Sequence, residues 1–194
     1  MQFSLENSRP LALVLDLQEL FTSADGPLKN VAAASLIENV NGLVKTLRDK
    51  RLPIVYSSYV LADDLSDAGL LKDNPLVKQG YFCAGSRWME WDSRLHTRDS
   101  DIFISRNRPS AFRGDGLPDI LKSLDIDVLL LCGLSVNNAV SSTARDAFAR
   151  DIPTVVINDC TGAAPWEHHL DIYFEILDDW SARVMTSEEL LRMI

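Results

Sequence analysis

The chain has little of several things that mark common functional classes. It carries three histidines and three cysteines among 194 residues. Cys83, Cys132 and Cys160 are odd in number and show no CxxC spacing, which speaks against a disulfide framework and a structural zinc site. Cys132 ends an apolar run and Cys160 follows another, positions where a thiol serves as a small hydrophobe. His168 and His169 are adjacent, so they do not face one another on a helix, and His96 stands alone. No metal site is expected. Neither GxGxxG nor GxxxxGK followed by Ser or Thr occurs, so there is no glycine-rich phosphate loop, and no cofactor is expected. Lysines and arginines form no cluster. With 19 of them against 28 acids the net charge is -9, which disfavours nucleic acid as a partner. No apolar run approaches the roughly 20 residues that cross a bilayer. Residues 1 to 10 lack the basic start and apolar segment of a secretory signal. The chain is expected to be soluble and cytoplasmic, without a membrane partner.

What is present reads as one α/β domain over residues 1–194. The composition, 46% hydrophobic and 24% charged, is that of an ordinary globular chain. Short apolar runs predict strands at Leu11 to Leu15, Pro53 to Ser58, Asp101 to Ser105, Val128 to Leu131, Thr154 to Ile157 and Arg183 to Met185. Between them, helical spacing or start signals predict helices over Val31 to Lys50, Leu117 to Leu124, Asn137 to about Phe148, Trp166 to Asp179 and Ser187 to Arg192. Strands alternating with helices imply a doubly wound, mainly parallel six-stranded sheet with helices on both faces, a Rossmann-type three-layer sandwich.

The stretch DVLLLCGLSVNNAVSSTARDAFARD, from Asp127 to Asp151, is the floor of the expected site. Its apolar run has no polar alternation, as befits a strand covered on both faces. Ala139, Val140, Thr143, Ala144, Ala147 and Phe148 then fall on the face expected to lie against the sheet. The helix start points free N–H groups at the strand's carboxyl end, where open α/β folds bind ligands, and a side chain near Ala139 is expected to face that site. Asp16 closes the first strand. It reads either as a catalytic carboxylate at the sheet edge or as an N-cap or arginine partner. Arg106, at the end of the third strand, is placed to face it. The irregular segment from Tyr59 to Thr97, with Trp88, Met89 and Trp91, reads as a lid or wall over an apolar ligand, or equally as an oligomer contact or satellite packing.

Read together, LALVLDLQELF, ISRNRPSAF, GLSVNNAVSSTARDAFARD and VVINDC resemble the isochorismatase-like superfamily, which includes isochorismatases and cysteine hydrolases, over nearly the whole chain. The resemblance implies a site at the strands' carboxyl ends and a catalytic aspartate, lysine and cysteine in the amidase members. Carried over, the aspartate is Asp16, the lysine position holds Arg106 and the cysteine position holds Ala139. A methyl group cannot attack a carbonyl. Isochorismatases proper lack the cysteine, but Tyr59 and Ser135 stand where they tend to have glutamine and tyrosine. Beside Asp16, Arg106 is expected to favour the carboxylate and to offer a bidentate grip on a substrate carboxylate.

Substrate contacts are expected from Gln18, Phe21, Tyr59, Trp88, Arg108, Ser135, Asn137 and Asn138. Arg87, Arg106 and Arg108 suit an anionic ligand and Phe21, Trp88 and Trp91 a ring, unless Arg87 and Arg108 only form surface ion pairs. The favoured reading is a hydrolase of a small organic molecule without a cysteine nucleophile, with Asp16 as general acid or base and Arg106 as electrostatic anchor. The alternatives are a catalytically silent relative that binds a ligand or partner, and a cysteine amidohydrolase whose nucleophile has been replaced by Ala139. Family analogy adds a homo-oligomer as a further expectation.

Overall fold

The computed structural model describes residues 3–114, 116–165, 167 and 169–194. Six strands, β1 (Pro10–Leu15), β2 (Ile54–Tyr59), β3 (Ile102–Arg106), β4 (Val128–Gly133), β5 (Thr154–Thr161) and β6 (Arg183–Met185), form one sheet in the order β3-β2-β1-β4-β5-β6. All five pairings are parallel. The chain builds outward from β1 to β3, then returns to lay β4 on the other side of β1. That reversal makes the carboxyl ends of β1 and β4 the crevice in which such sheets take ligands.

Side-chain alternation sorts the strands onto two cores. Ala12 and Val14 of β1, with Leu130 and Cys132 of β4, face the long helix α2 (Ala33–Asp49). Leu36, Ile37, Val40, Leu43, Val44 and Leu47 of α2 cover that face, at the helical spacing the sequence displays. Leu11, Leu13, Leu15, Leu129 and Leu131 point the other way, onto helices α4 (Leu117–Ser123), α5 (Ser141–Phe148) and α6 (Leu170–Trp180). Each fully buried Leu or Val contributes about 1.5–3 kcal/mol, so the two-sided covering accounts for the near-continuous apolar strands.

Three helix starts and the face taken by one residue depart from the sequence reading. The segment expected to be helical from Asn137 begins instead as a π-helical turn over Val136–Val140 and becomes α-helical at Ser141. Ser141 Oγ donates to the Val136 carbonyl five residues back, which fits the wider turn. Phe148, expected against the sheet, is 47% exposed, because Ala144 and Ala147 take that face as the helix ends. Val31 lies outside α2 and is exposed; the Asn30 side chain accepts from the Ala32 N–H (2.8 Å) at the helix entrance instead. The helix expected from Trp166 starts at Leu170; Trp166 and His168 lie outside the described residues. Short helices α1 (Glu19–Thr22) and α3 (Pro75–Lys78) and the terminal α7 (Ser187–Leu191) complete the chain. No helix of the described residues is long and apolar enough to cross a membrane.

Gly133 is where β1 and β4 come closest. Its φ is +102°, and a Cβ there would stand 2.1 Å from the Leu15 carbonyl oxygen. Leu134 N–H can therefore reach Leu15 O at 2.8 Å and steer the chain into the turn that carries Ala139. Gly133→Ala is expected to cost at least about 3 kcal/mol, through a strained φ and a backbone collision, measured as loss of urea stability.

The segment after α3 is tied down by Asp92, which accepts from Arg94 Nε (2.9 Å), Arg94 NH2 (2.6 Å) and the Arg94 N–H (2.9 Å). Burial alone would raise this carboxyl, but the hydrogen bonds from Arg94 and Thr22 hold it at about 2, against an ordinary 3.8. Because the folded value is depressed, the stabilisation is complete above about pH 4 and is lost as the pH falls through 2. Asp92→Asn is expected to cost about 1 kcal/mol at pH 7, limited by the half-exposed Arg94. The gap to the parent protein should close between pH 4 and pH 2 in thermal melts.

Candidate functional site

A cavity of about 230 Å³ opens at the carboxyl ends of β1 to β4. Each strand delivers one element to it: Asp16 follows β1, Tyr59 ends β2, Arg106 ends β3, and the turn after β4 carries Ser135, Asn137, Asn138 and Ala139. Phe21 from α1 and Leu76, Val77 and Phe82 from the segment after β2 supply an apolar wall.

Asp16 sits just past β1 in a left-handed conformation, φ +53°, which non-glycine residues adopt at a cost of about 1–2 kcal/mol. Its N–H still reaches Ser57 O at 3.1 Å, so the turn occurs without breaking the β1–β2 join. The side chain is nearly buried and is held from two strands. Tyr59 N–H donates to Oδ1 at 2.9 Å, and Arg106 grips both oxygens, NH1 to Oδ1 at 2.9 Å and NH2 to Oδ2 at 2.5 Å. Arg106 NH1 also reaches Ser57 O (3.1 Å) and Ser57 Oγ (3.2 Å), and Nε donates to Pro109 O (2.9 Å). Its guanidinium fork is thus spent on Asp16. The expected bidentate grip on a substrate carboxylate is not available from it.

Burial pushes the Asp16 carboxyl above the usual carboxylate range; the Arg106 charge, the Arg106 hydrogen bonds and the Tyr59 amide all pull against it. Arg106 by itself favours the charged form, as its chemistry implies, but desolvation outweighs it. Burial likewise raises the Tyr59 phenol.

The cavity brings together Asp16, Arg106, Ala139, Phe21, Tyr59, Ser135, Asn137 and Asn138. It leaves out Gln18, Trp88 and Arg108. Gln18 is fully buried and donates through Nε2 to Met89 O (3.0 Å), so it holds the Arg87–Met89 turn against α1 rather than reaching the cavity. Trp88 packs with Tyr81, with Arg87 over its ring at 3.9 Å. Trp91 packs on Tyr56 and Phe103 at the far edge of the sheet. Arg108 turns back to Asp67 O (2.8 Å) and Asn107 O (2.5 Å), while Arg87 pairs with Asp25 at 2.8 Å. The three arginines do not converge on an anion.

Asn30, Asn74 and Phe82 also line the cavity, and the sequence reading did not single them out. The one signal for Asn30 was its place just ahead of α2. Its amide bridges Ala163 O (2.6 Å) and the Ala32 N–H (2.8 Å), tying the helix entrance to the turn after β5.

Cys132 and Cys160 are fully buried, and burial pushes the Cys132 thiol up to about 12 and that of Cys160 higher still. Cys132 faces α2, and neither it nor Cys160 lines the cavity. Among the described residues no three His, Cys, Asp or Glu side chains gather as a metal would require.

Because Arg106 and Asp16 are both buried, removing one strands the other. Arg106→Met is expected to cost about 3–5 kcal/mol in urea unfolding, and the double variant Asp16→Asn with Arg106→Met should recover part of that loss.

Comparison with known proteins bears on the same architecture. The chain is 30% identical over 194 residues to the isochorismatase family protein YecD of Escherichia coli O157:H7, covering 97% of this chain and 98% of that one. It is 27% identical over 160 residues to an N-carbamoylsarcosine amidase of an Arthrobacter species, covering 80% of this chain and only 60% of that relative. The crystal structure of a cysteine hydrolase from Pseudomonas syringae pv. phaseolicola 1448A has the same fold, with a TM-score of 0.89 at 22% identity over 95% of this chain and 92% of that one. The Isochorismatase domain pattern matches residues 10–189, and the chain belongs to that family.

Proposed function

We propose that the protein hydrolyses a small organic molecule in this cavity without a cysteine nucleophile, with Asp16 as general base and acid and water as the nucleophile. The observation that carries the reading is a carboxylate at the cavity wall whose Oδ2 accepts one hydrogen bond, from Arg106, beside a position 139 that offers only a methyl group. An oxygen so placed has a lone pair left for a proton of bound water. In the proposed step Asp16 takes that proton and the water oxygen bonds to the electrophilic carbon. The bond to the leaving group then breaks as the carboxyl returns the proton to it. Burial makes Asp16 a stronger base than an exposed carboxylate, and Arg106 and the Tyr59 amide fix its direction. Asn137 and Asn138, at the opening of the turn after β4, are placed to donate to negative charge developing on the substrate. The amidase among its relatives supports hydrolysis as the reaction class.

A second reading, a ligand-binding relative without turnover, draws on the engagement of all three Arg106 nitrogens within the protein; arginine also has no proton to exchange where the family's amidases use lysine. The two readings separate on one experiment. Asp16→Asn is expected to lower kcat/KM for the true substrate by about 10²- to 10⁴-fold. Retained turnover would reject Asp16 as the base. If no amide, ester or enol ether is hydrolysed in an Asp16-dependent way, the silent reading stands.

A further inference from the structure

The cavity wall is apolar over most of its extent, with Phe21, Leu28, Leu76, Val77, Phe82 and Leu134 contributing. Among the described residues Asp16 is its one acid and Arg106 its one basic group. The Arg106 side chain is 0% exposed and all three of its nitrogens donate within the protein, two of them to Asp16. The two unit charges therefore cancel inside the wall. Arg87 and Arg108, the other two arginines that the sequence suggested for an anion, are held by Asp25 and by backbone carbonyls outside it.

A carboxylate entering this space loses its hydration and, among the described residues, meets no free cation; it meets Asp16 instead. A neutral oxygen fares differently. Asn137 Oδ1 accepts from the Ala164 N–H (3.1 Å), which leaves its Nδ2 hydrogens to donate, and the Asn138 amide and the Ser135 hydroxyl line the same wall.

We propose that the cavity selects uncharged ligands, an apolar or aromatic body bearing a neutral oxygen acceptor, and that the Asp16–Arg106 pair is the device that excludes carboxylates. This rests on the reading of the cavity as the substrate site, but not on any chemistry assigned to Asp16. It has a consequence that a merely apolar pocket lacks. Asp16→Asn removes the negative member and leaves the Arg106 cation uncancelled, so the variant acquires an affinity for anions.

Two matched pairs of probes test this by titration calorimetry on the full chain: benzamide with benzoate, and butyramide with butyrate. The parent protein is expected to bind each amide at least about tenfold more tightly than its carboxylate. Asp16→Asn is expected to bind benzoate at least about tenfold more tightly than the parent does, with that gain weakened by added salt. Benzoate binding the parent as tightly as benzamide overturns the proposal, as does failure of both amides to bind. An unchanged ratio of carboxylate to amide affinity in folded Asp16→Asn, checked by circular dichroism, overturns it too. Should that variant fail to fold, the ratio in the parent decides alone. No arm reads turnover, so loss of catalysis on mutating Asp16 leaves the test intact. Amide preference combined with Asp16-independent turnover would sink the hydrolytic role of Asp16 and leave charge selection standing.

Discussion

The pairing of Asp16 with Arg106 is the constraint on which the carboxyl edge of this sheet depends. A single buried carboxylate or guanidinium there would be costly, and the structure meets the cost by aligning the ends of three adjacent strands so that each charge finds its partner. Asp16 adopts a left-handed backbone, Tyr59 N–H adds a second donor to Oδ1, and Ser57 and Pro109 accept from the guanidinium as well. The geometry at the ends of β1, β2 and β3 follows from satisfying these two groups.

The other half of the cavity answers to a different constraint, close backbone approach. Gly133 lets β4 lie against β1 up to its last residue, and the chain then enters a wide π turn. That turn sets Asn137, Asn138 and Ala139 around the space in front of the ion pair. One side of the cavity is thus fixed by charge and the other by the absence of a side chain. Leu76, Val77 and Phe82 from the segment after β2 add an apolar wall to it.

The sheet, its order of elements and the edge bearing the cavity were legible in the sequence because burial on two faces leaves runs such as Leu11–Leu15 and Val128–Leu131 with no polar alternation. The pairing of Asp16 with Arg106 was legible for the same reason, since both end strands of one parallel sheet. Side chains on the long segment after β2 were not. Trp88 and Arg108 have the chemistry of ligand contacts, but their positions depend on turns set by local hydrogen bonds, Ser86 capping one and Arg108 folding back on its own neighbour. Gln18 lies two residues from Asp16, yet the sharp turn at Asp16 sends its side chain into the core. Asn30 and Phe82 entered the cavity wall from segments with no periodicity to read.

The ion pair joins residues 90 positions apart in the chain, and its third partner, Tyr59, lies 43 positions from Asp16. Closing contacts so distant in sequence costs the loops between them their conformational freedom. Without β3 beside β2, Asp16 would have no counter-charge from Arg106. The cavity edge therefore requires the ends of β1, β2 and β3 together: no smaller part of the sheet could present Asp16, Tyr59 and Arg106 side by side.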